Sequence, residues 1–113
     1  MKLVNLTPHE IVLALRAEGK DITLPPSGTV ARVASTPGER VGTLSGCPVY
    51  SAPTWGAVEG IPDPVPDTVY VVSTIVAGRA GRVDVVSPGT GPADEPIRDG
   101  GLVVAVTRLI RSI

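Results

Sequence analysis

The sequence contains very few of the side chains that usually perform chemistry. Among its 113 residues there is one histidine, one cysteine and one asparagine, and there is no glutamine or phenylalanine. A single cysteine excludes an internal disulfide and any multi-cysteine metal site. The one histidine and the one cysteine are distant in sequence and the acidic residues show no metal-ligand spacing, so no metal is expected, and no cofactor is predicted. The net charge of −1 at pH 7 gives no basic surface for nucleic acid or for a membrane. No apolar run approaches the ~20 residues of a membrane span.

The residues that are abundant favour β-structure. Valine is the commonest residue with 18 copies, and valine, isoleucine and threonine together make 35 of the 113 residues, against 7 for lysine plus glutamate. β-Branched side chains suit a pleated sheet, whereas long straight side chains suit helices. The 13 glycines and 12 prolines are interspersed with apolar runs, which is typical of short strands joined by turns. The length predicts a single domain over 1–113. No signal peptide is recognisable, which predicts a cytoplasmic protein.

The only histidine and the only side-chain amide lie four residues apart, in the pentad Asn5-Leu6-Thr7-Pro8-His9. In an extended backbone, residues 5, 7 and 9 fall on one face. That face would carry an amide, a hydroxyl and an imidazole, which together can hydrogen-bond a small polar ligand. The structural alternative is that Asn5 and Thr7 cap a local turn while a carbonyl satisfies His9. The pentad is the first candidate site.

The segment 8–18 is compatible with two structures. Thr7, Pro8 and Glu10 match a helix start, and Gly19 could end that helix. Against a helix, apolar residues alternate over 11–15, and 17–20 is typical of a hairpin turn before a return strand at 21–24. We favour the hairpin.

The remaining elements follow from alternation, β-branched runs and turn residues. Segments 36–46 and 87–101 are predicted as loops, and the proline-rich 60–67 as an extended connector. Ser73 and Gly81 are suited to cap a short helix between them. The expected fold is a mainly β (α+β) domain, an antiparallel barrel or sandwich with one short helix after Ser73. The predicted strands, apart from the hairpin, cover 2–6, 29–34, 48–52, 55–59, 68–72, 82–86 and 102–110.

Several short motifs lie in order along most of the chain. They are the pentad, Pro25-Pro26-Ser27-Gly28, Tyr70-Val71-Val72-Ser73 followed by Val76-Ala77, and Arg82-Val83-Asp84 leading to Pro88-Gly89. In this order they resemble a set of small, mostly uncharacterised proteins of bacteria, notably actinobacteria, and of their phages. The resemblance implies a free-standing small cytosolic protein with a phage or prophage link. It implies no reaction.

A second candidate cluster follows the predicted strand 68–72. A helix that starts after Ser73 exposes free N–H groups, with Thr74 beside them, and these favour a phosphate or carboxylate. Arg82 and Asp84 share one strand face and can form an ion pair or flank a ligand, while Arg79 adds positive charge. The structural alternative is a helix cap with a surface salt bridge.

One aromatic residue is a weaker candidate. Trp55 lies between Thr54 and Gly56, and these small neighbours would let a planar ligand approach the ring. The alternative is that the ring belongs to the core or its rim.

The leading hypothesis is a protein that binds a small anionic, nucleotide-like ligand, with the first strand beside 68–72 bringing His9 towards Ser73 and Arg82. The first alternative is a small hydrolase or lyase in which His9 acts as the base and Asp84 orients it. The second is a structural or partner-binding module, for which an exposed strand edge pairs with another chain or a second copy. The predicted ligand-binding residues are Asn5, Thr7, His9, Ser73, Thr74, Arg79, Arg82 and Asp84.

Overall fold

The computed structural model describes all 113 residues and is mainly β, with one α-helix. The helix α1 spans Thr74–Ala80, and a 3₁₀ turn spans Pro92–Asp94. No helix is long and apolar enough to cross a membrane. The strands are β1 (Lys2–Asn5), β2 (Ile11–Leu15), β3 (Lys20–Leu24), β4 (Arg32–Thr36), β5 (Arg40–Leu44), β6 (Cys47–Tyr50), β7 (Thr54–Glu59), β8 (Thr68–Val71), β9 (Val85–Pro88), β10 (Ile97–Asp99), β11 (Leu102–Ala105) and β12 (Leu109–Ile110).

A four-stranded sheet forms the centre of the molecule, in the order β1-β8-β9-β12. Both β1 and β9 run parallel to β8, and β12 is antiparallel to β9. The helix α1 connects β8 to β9, as crossover connections do between parallel neighbours. The register pairs Asn5 with Val71, so the prediction that the first strand lies beside strand 68–72 is confirmed.

The strand β8 and the residue after it are buried on both sides. Successive side chains point to opposite faces, so Val69 and Val71 belong to one apolar cluster and Tyr70 and Val72 to another. The first cluster is completed by Ile11, Leu13, Val86 and Val106, and the second by Leu6, Ala31, Val76, Ala77 and Val85. This two-sided burial explains why the sequence is apolar at every position from 69 to 72.

The helix and the first hairpin form where the sequence predicts them. The Ser73 hydroxyl accepts from the Val76 N–H at 3.5 Å, and Gly81 ends α1 in the left-handed region at a φ of 59°. Strand β2 pairs antiparallel with β3, from Ile11 opposite Leu24 to Leu15 opposite Lys20. The hairpin for 8–18 is therefore confirmed, and the helical alternative is wrong.

A long two-stranded extension, which we call the arm, spans residues 32–59. Strand β4 pairs with β7, and beyond them β5 pairs with β6. Between the two pairs, the Glu39 N–H donates to the Ser51 hydroxyl at 2.9 Å, and the Ser51 N–H donates to the Glu39 carbonyl at 2.8 Å. The arm contributes to an elongated molecule that measures 54 × 37 × 25 Å.

Three features of the expected fold are wrong. The segment 36–46 is not a loop, because it contains β5, and 87–101 contains the end of β9, the 3₁₀ turn and β10. The predicted closing strand 102–110 is divided into β11 and β12. The strands form several small sheets rather than a closed barrel, and the pairings include two parallel ones, because β1 joins the edge of β8 instead of continuing a meander.

Candidate functional site

The side chain of Asn5 is buried, with 2 % of the residue exposed, and it holds three segments of the chain together. Its amide nitrogen donates to the carbonyls of His9 at 2.8 Å and Leu24 at 3.0 Å. Its amide oxygen accepts from the N–H and the hydroxyl of Thr7, at 2.9 and 2.6 Å. The Asn5 carbonyl also accepts from the Ser27 N–H at 3.0 Å. The side chain has thus used its hydrogen-bonding capacity within the fold and offers none to a ligand.

The predicted row of Asn5, Thr7 and His9 on one face is not formed. The chain bends after β1, because the Asn5 amide bonds to the backbone of the following turn. The Thr7 hydroxyl is occupied by Asn5 and lies 3.0 Å from the His9 carbonyl. The His9 side chain is exposed and makes no hydrogen bond. In the pentad, Asn5 and Thr7 therefore stabilise the local fold, and the imidazole of His9 is exposed to solvent.

Arg82 and Asp84 form a two-pronged ion pair. Arginine Nε and Nη2 donate to the two carboxylate oxygens at 2.9 and 2.6 Å. These hydrogen bonds hold the pKa of Asp84 below its ordinary value and raise the pKa of Arg82. Arg82 Nη1 donates to the Pro62 carbonyl at 3.0 Å, and its guanidinium lies 6.0 Å from the Tyr70 ring centroid. The pair fastens the proline-rich connector 60–67 to the central sheet.

The second predicted cluster is divided between the two ends of the parallel strands. Val85 pairs with Tyr70, so Asp84 is level with Val69 and precedes β9. Ser73 lies four residues further along the chain than Val69, an offset of about 13 Å for a parallel strand. The expectation that Ser73, Arg82 and His9 converge is therefore wrong, because parallel pairing puts the start of β9 beside the start of β8. His9 and Asp84 share no hydrogen bond, and Asp84 is already paired with Arg82.

A surface groove of 360 Å³ lies beyond the carboxyl ends of β1 and β8. One wall comes from the turn after β1 and the start of α1, and the other comes from the base of the arm and the residues before it. Of the predicted site residues, Thr7 and Ser73 line the groove; Asn5, His9, Thr74, Arg79, Arg82 and Asp84 do not. The lining residues are Leu6, Thr7, Pro8, Val30, Ala31, Arg32, Val33, Trp55, Ser73, Ile75 and Val76.

The only charged residue among those that line the groove is an arginine. Arg32 lines it and forms no ion pair, although Glu59 lies opposite across the β4–β7 ladder. The guanidinium of Arg79 lies 6.0 Å from the centroid of the Trp55 ring, a cation–π arrangement at the groove wall. No lining residue is a carboxylate, and no group of three or more His, Cys, Asp or Glu side chains gathers anywhere in the molecule.

Two groove residues did not emerge from the sequence as one site. The small neighbours of Trp55 marked its ring as approachable, whereas Arg32 belonged to the predicted strand 29–34 and was not a candidate. Nothing local connects either residue with Thr7 or Ser73, because the base of the arm reaches them only by packing against α1 and its apolar cluster. The chain matches no known protein family, and no curated protein or solved structure matches it significantly.

Proposed function

We propose that this protein binds a small anionic ligand with a planar apolar part, such as a nucleotide, in the groove beside Trp55. The observation that carries the proposal is the combination of an apolar lining with two arginines, Arg32 and Arg79, that have no carboxylate partner. A guanidinium presents a planar fork of donors that fits phosphate and carboxylate oxygens. An unpaired arginine beside an apolar wall therefore suits a ligand with both characters.

The position and size of the groove support the same proposal. Open sheets with parallel strands bind ligands beyond the carboxyl ends of those strands, and this groove lies beyond β1 and β8. Its volume of 360 Å³ falls in the range of small-molecule sites, roughly 300–1,000 Å³. The Trp55 ring and the side chains of Ile75 and Val33 would cover the planar part, and Arg32 would bind the anion.

The roles given to the other predicted residues change in this proposal. Arg82 and Asp84 neutralise each other and hold the connector, and Asn5 holds the turn that carries Thr7 and Pro8. Ser73 caps α1, a helix of seven residues, and its hydroxyl lies at the groove edge. No observation favours the hydrolase or lyase alternative, which needs His9 and Asp84 to meet.

Calorimetric titration tests the proposal with three probes: adenosine monophosphate, adenosine and inorganic phosphate. We expect adenosine monophosphate to bind most tightly, because it combines a planar ring with an anion. Arg32→Ala should weaken its binding by about 10- to 100-fold, since a hydrogen bond to a charged group contributes about 1.5–3 kcal/mol. Trp55→Ala should weaken binding of adenosine monophosphate and adenosine and leave inorganic phosphate unaffected.

Arg111→Ala is the matched control. Arg111 is exposed, makes no ion pair and follows β12, at the sheet edge opposite β1. The control should bind like wild type. Equal weakening by Arg32→Ala and Arg111→Ala would show that only overall charge matters and would contradict the site. Absence of binding by all three probes would reject a nucleotide-like ligand.

A further inference from the structure

The outer part of the arm is apolar and uncovered. Arg40 is the only charged residue between positions 40 and 50, where strands β5 and β6 form the tip hairpin. Val41, Leu44 and Tyr50 expose 65 %, 71 % and 61 % of their surface. A two-stranded hairpin on its own is marginally stable in water, because it has no third strand or helix against which to bury its side chains. The tip therefore has the chemistry of an element that another surface covers.

The chain exposes more surface than a compact monomer of its mass does. A compact monomer of 11.6 kDa exposes about 5,800 Å², whereas this chain exposes 7387 Å². Its radius of gyration is 17.0 Å, against about 13 Å for a compact domain of this length. The excess of about 1,500 Å² lies in the range that obligate dimers bury per chain, about 1,000–2,500 Å².

The two edges of the tip hairpin are not equivalent. Ser45 and Gly46 both have positive φ, 50° and 83°, and form a two-residue turn closed by the pair Leu44 and Cys47. In the next pair along the hairpin, Thr43 and Pro48, the backbone N–H and carbonyl positions point away from the partner strand, towards the outer edges of the hairpin. Pro48 has no N–H, so the β6 edge lacks a donor there, while Thr43 leaves an N–H and a carbonyl free on the β5 edge. The β5 edge is the one open to a further strand.

We propose that two copies of this chain associate through their arms, with the β5 edges paired antiparallel about a two-fold axis near Gly42. Gly42 has no side chain, so the two strands can approach closely at the axis. In this pairing Arg40 lies opposite Leu44 of the second copy, which keeps the two arginines apart. A symmetric pair is the commonest form of oligomer, and the same open edge and apolar residues meet their own copies. The pairing brings Leu44 of each copy beside Arg40 of the other, and Val41 beside Thr43 of the other.

Sedimentation equilibrium tests the association with a pair of variants. Leu44 is 71 % exposed on the arm and Leu102 is 73 % exposed on β11, so Leu44→Glu and Leu102→Glu change equally exposed leucines. Wild type and Leu102→Glu should sediment at twice the 11.6 kDa chain mass, and Leu44→Glu should raise the dimer dissociation constant at least tenfold. A monomeric wild type at a chain concentration of 100 µM would overturn the proposal, as would equal effects of the two variants.

A second pair of variants tests the strand edge itself. Thr43→Pro removes the free N–H on the β5 edge. Thr43→Ala keeps that N–H and removes the γ-methyl and the hydroxyl, which accepts from Arg40 Nη2 at 2.7 Å. Thr43→Pro should be monomeric and Thr43→Ala dimeric, with circular dichroism used to check that both fold. Dimers of both variants would overturn pairing through β5, and an assembly larger than two copies would overturn the two-fold arrangement. Arg32→Ala should remain dimeric, which separates this test from the ligand proposal.

Discussion

At the scale of single residues, two polar side chains hold separate segments of the fold together. Asn5 connects the turn after β1 to the end of β3, and Arg82 connects the proline-rich connector to the sheet. Asn5 uses its amide groups inside the chain, and Arg82 is held by Asp84 and the Pro62 carbonyl, so each contributes to the folded state. The rarity of asparagine marks position 5 as important from the sequence alone. Its role could not be predicted, because one hydrogen-bond partner, Leu24, lies 19 residues away.

Replacing Asn5 and His9 separately should distinguish these roles. Asn5→Ala leaves the carbonyls of His9 and Leu24 and the Thr7 N–H without their partner, so the free energy of unfolding should fall by about 2–4 kcal/mol. His9→Ala should change it by less than about 0.5 kcal/mol, because the imidazole is exposed and unbonded. Urea unfolding measures both. A His9→Ala loss as large as that of Asn5→Ala would contradict the structural assignment.

At the scale of elements, the sequence predicts correctly the structures that depend on neighbouring residues. The caps of α1, Ser73 and Gly81, act within one turn of the chain, and both positions are correct. The hairpin β2–β3 also depends on adjacent residues. Strand β5 was missed because its face packs on nothing, so its sequence has none of the in-out alternation that burial imposes. An exposed strand is defined only by its backbone pairing, and the hydrophobicity of the sequence does not reveal that β5 pairs with β6.

Two glycines of α1 should respond oppositely to alanine. Neither position has an atom within 4 Å of an added Cβ, so only backbone conformation distinguishes them. Gly78→Ala should stabilise the protein by about 0.5–1 kcal/mol, because alanine is the better helix former. Gly81→Ala should destabilise it by about 1–2 kcal/mol, because alanine is strained at a φ of 59°. Thermal unfolding compares them, and a shift of both variants in the same direction would contradict the capping geometry.

At the scale of the whole molecule, the direction of the central strands decides which residues meet. The composition predicts a mainly β fold and the structure has one. The direction of β1 could not be predicted, because β1 pairs with a strand more than sixty residues away. The parallel pair β8 and β9 could have been predicted, since strands joined by a helix are typically parallel. Because β8 and β9 are parallel, Ser73 and Asp84 lie at opposite ends of the sheet. The candidate site is therefore the groove beside the arm.

Val71 and Val72 test the separation of the two apolar clusters. They are neighbours in the chain, but they pack into different clusters on opposite faces of the sheet. Val71→Ala and Val72→Ala should each cost about 2 kcal/mol of unfolding free energy. Since they share no side-chain partners, the double variant should lose the sum to within about 0.5 kcal/mol. A coupling energy above about 1 kcal/mol, from urea unfolding of all four proteins, would show a single connected core.

The bonding of Asn5 also affects how the protein ages chemically. Deamidation of asparagine begins when the N–H nitrogen of the next residue attacks the side-chain carbonyl carbon to close a five-membered ring. Here the Leu6 N–H is held by the Val71 carbonyl at 2.8 Å, and the amide is fixed at both its oxygen and its nitrogen. The chain has no other side-chain amide, and such amides are among the thermolabile groups of proteins. The fold therefore protects its one side-chain amide from deamidation, whereas the exposed sulfur atoms of Met1 and Cys47 are open to oxidation.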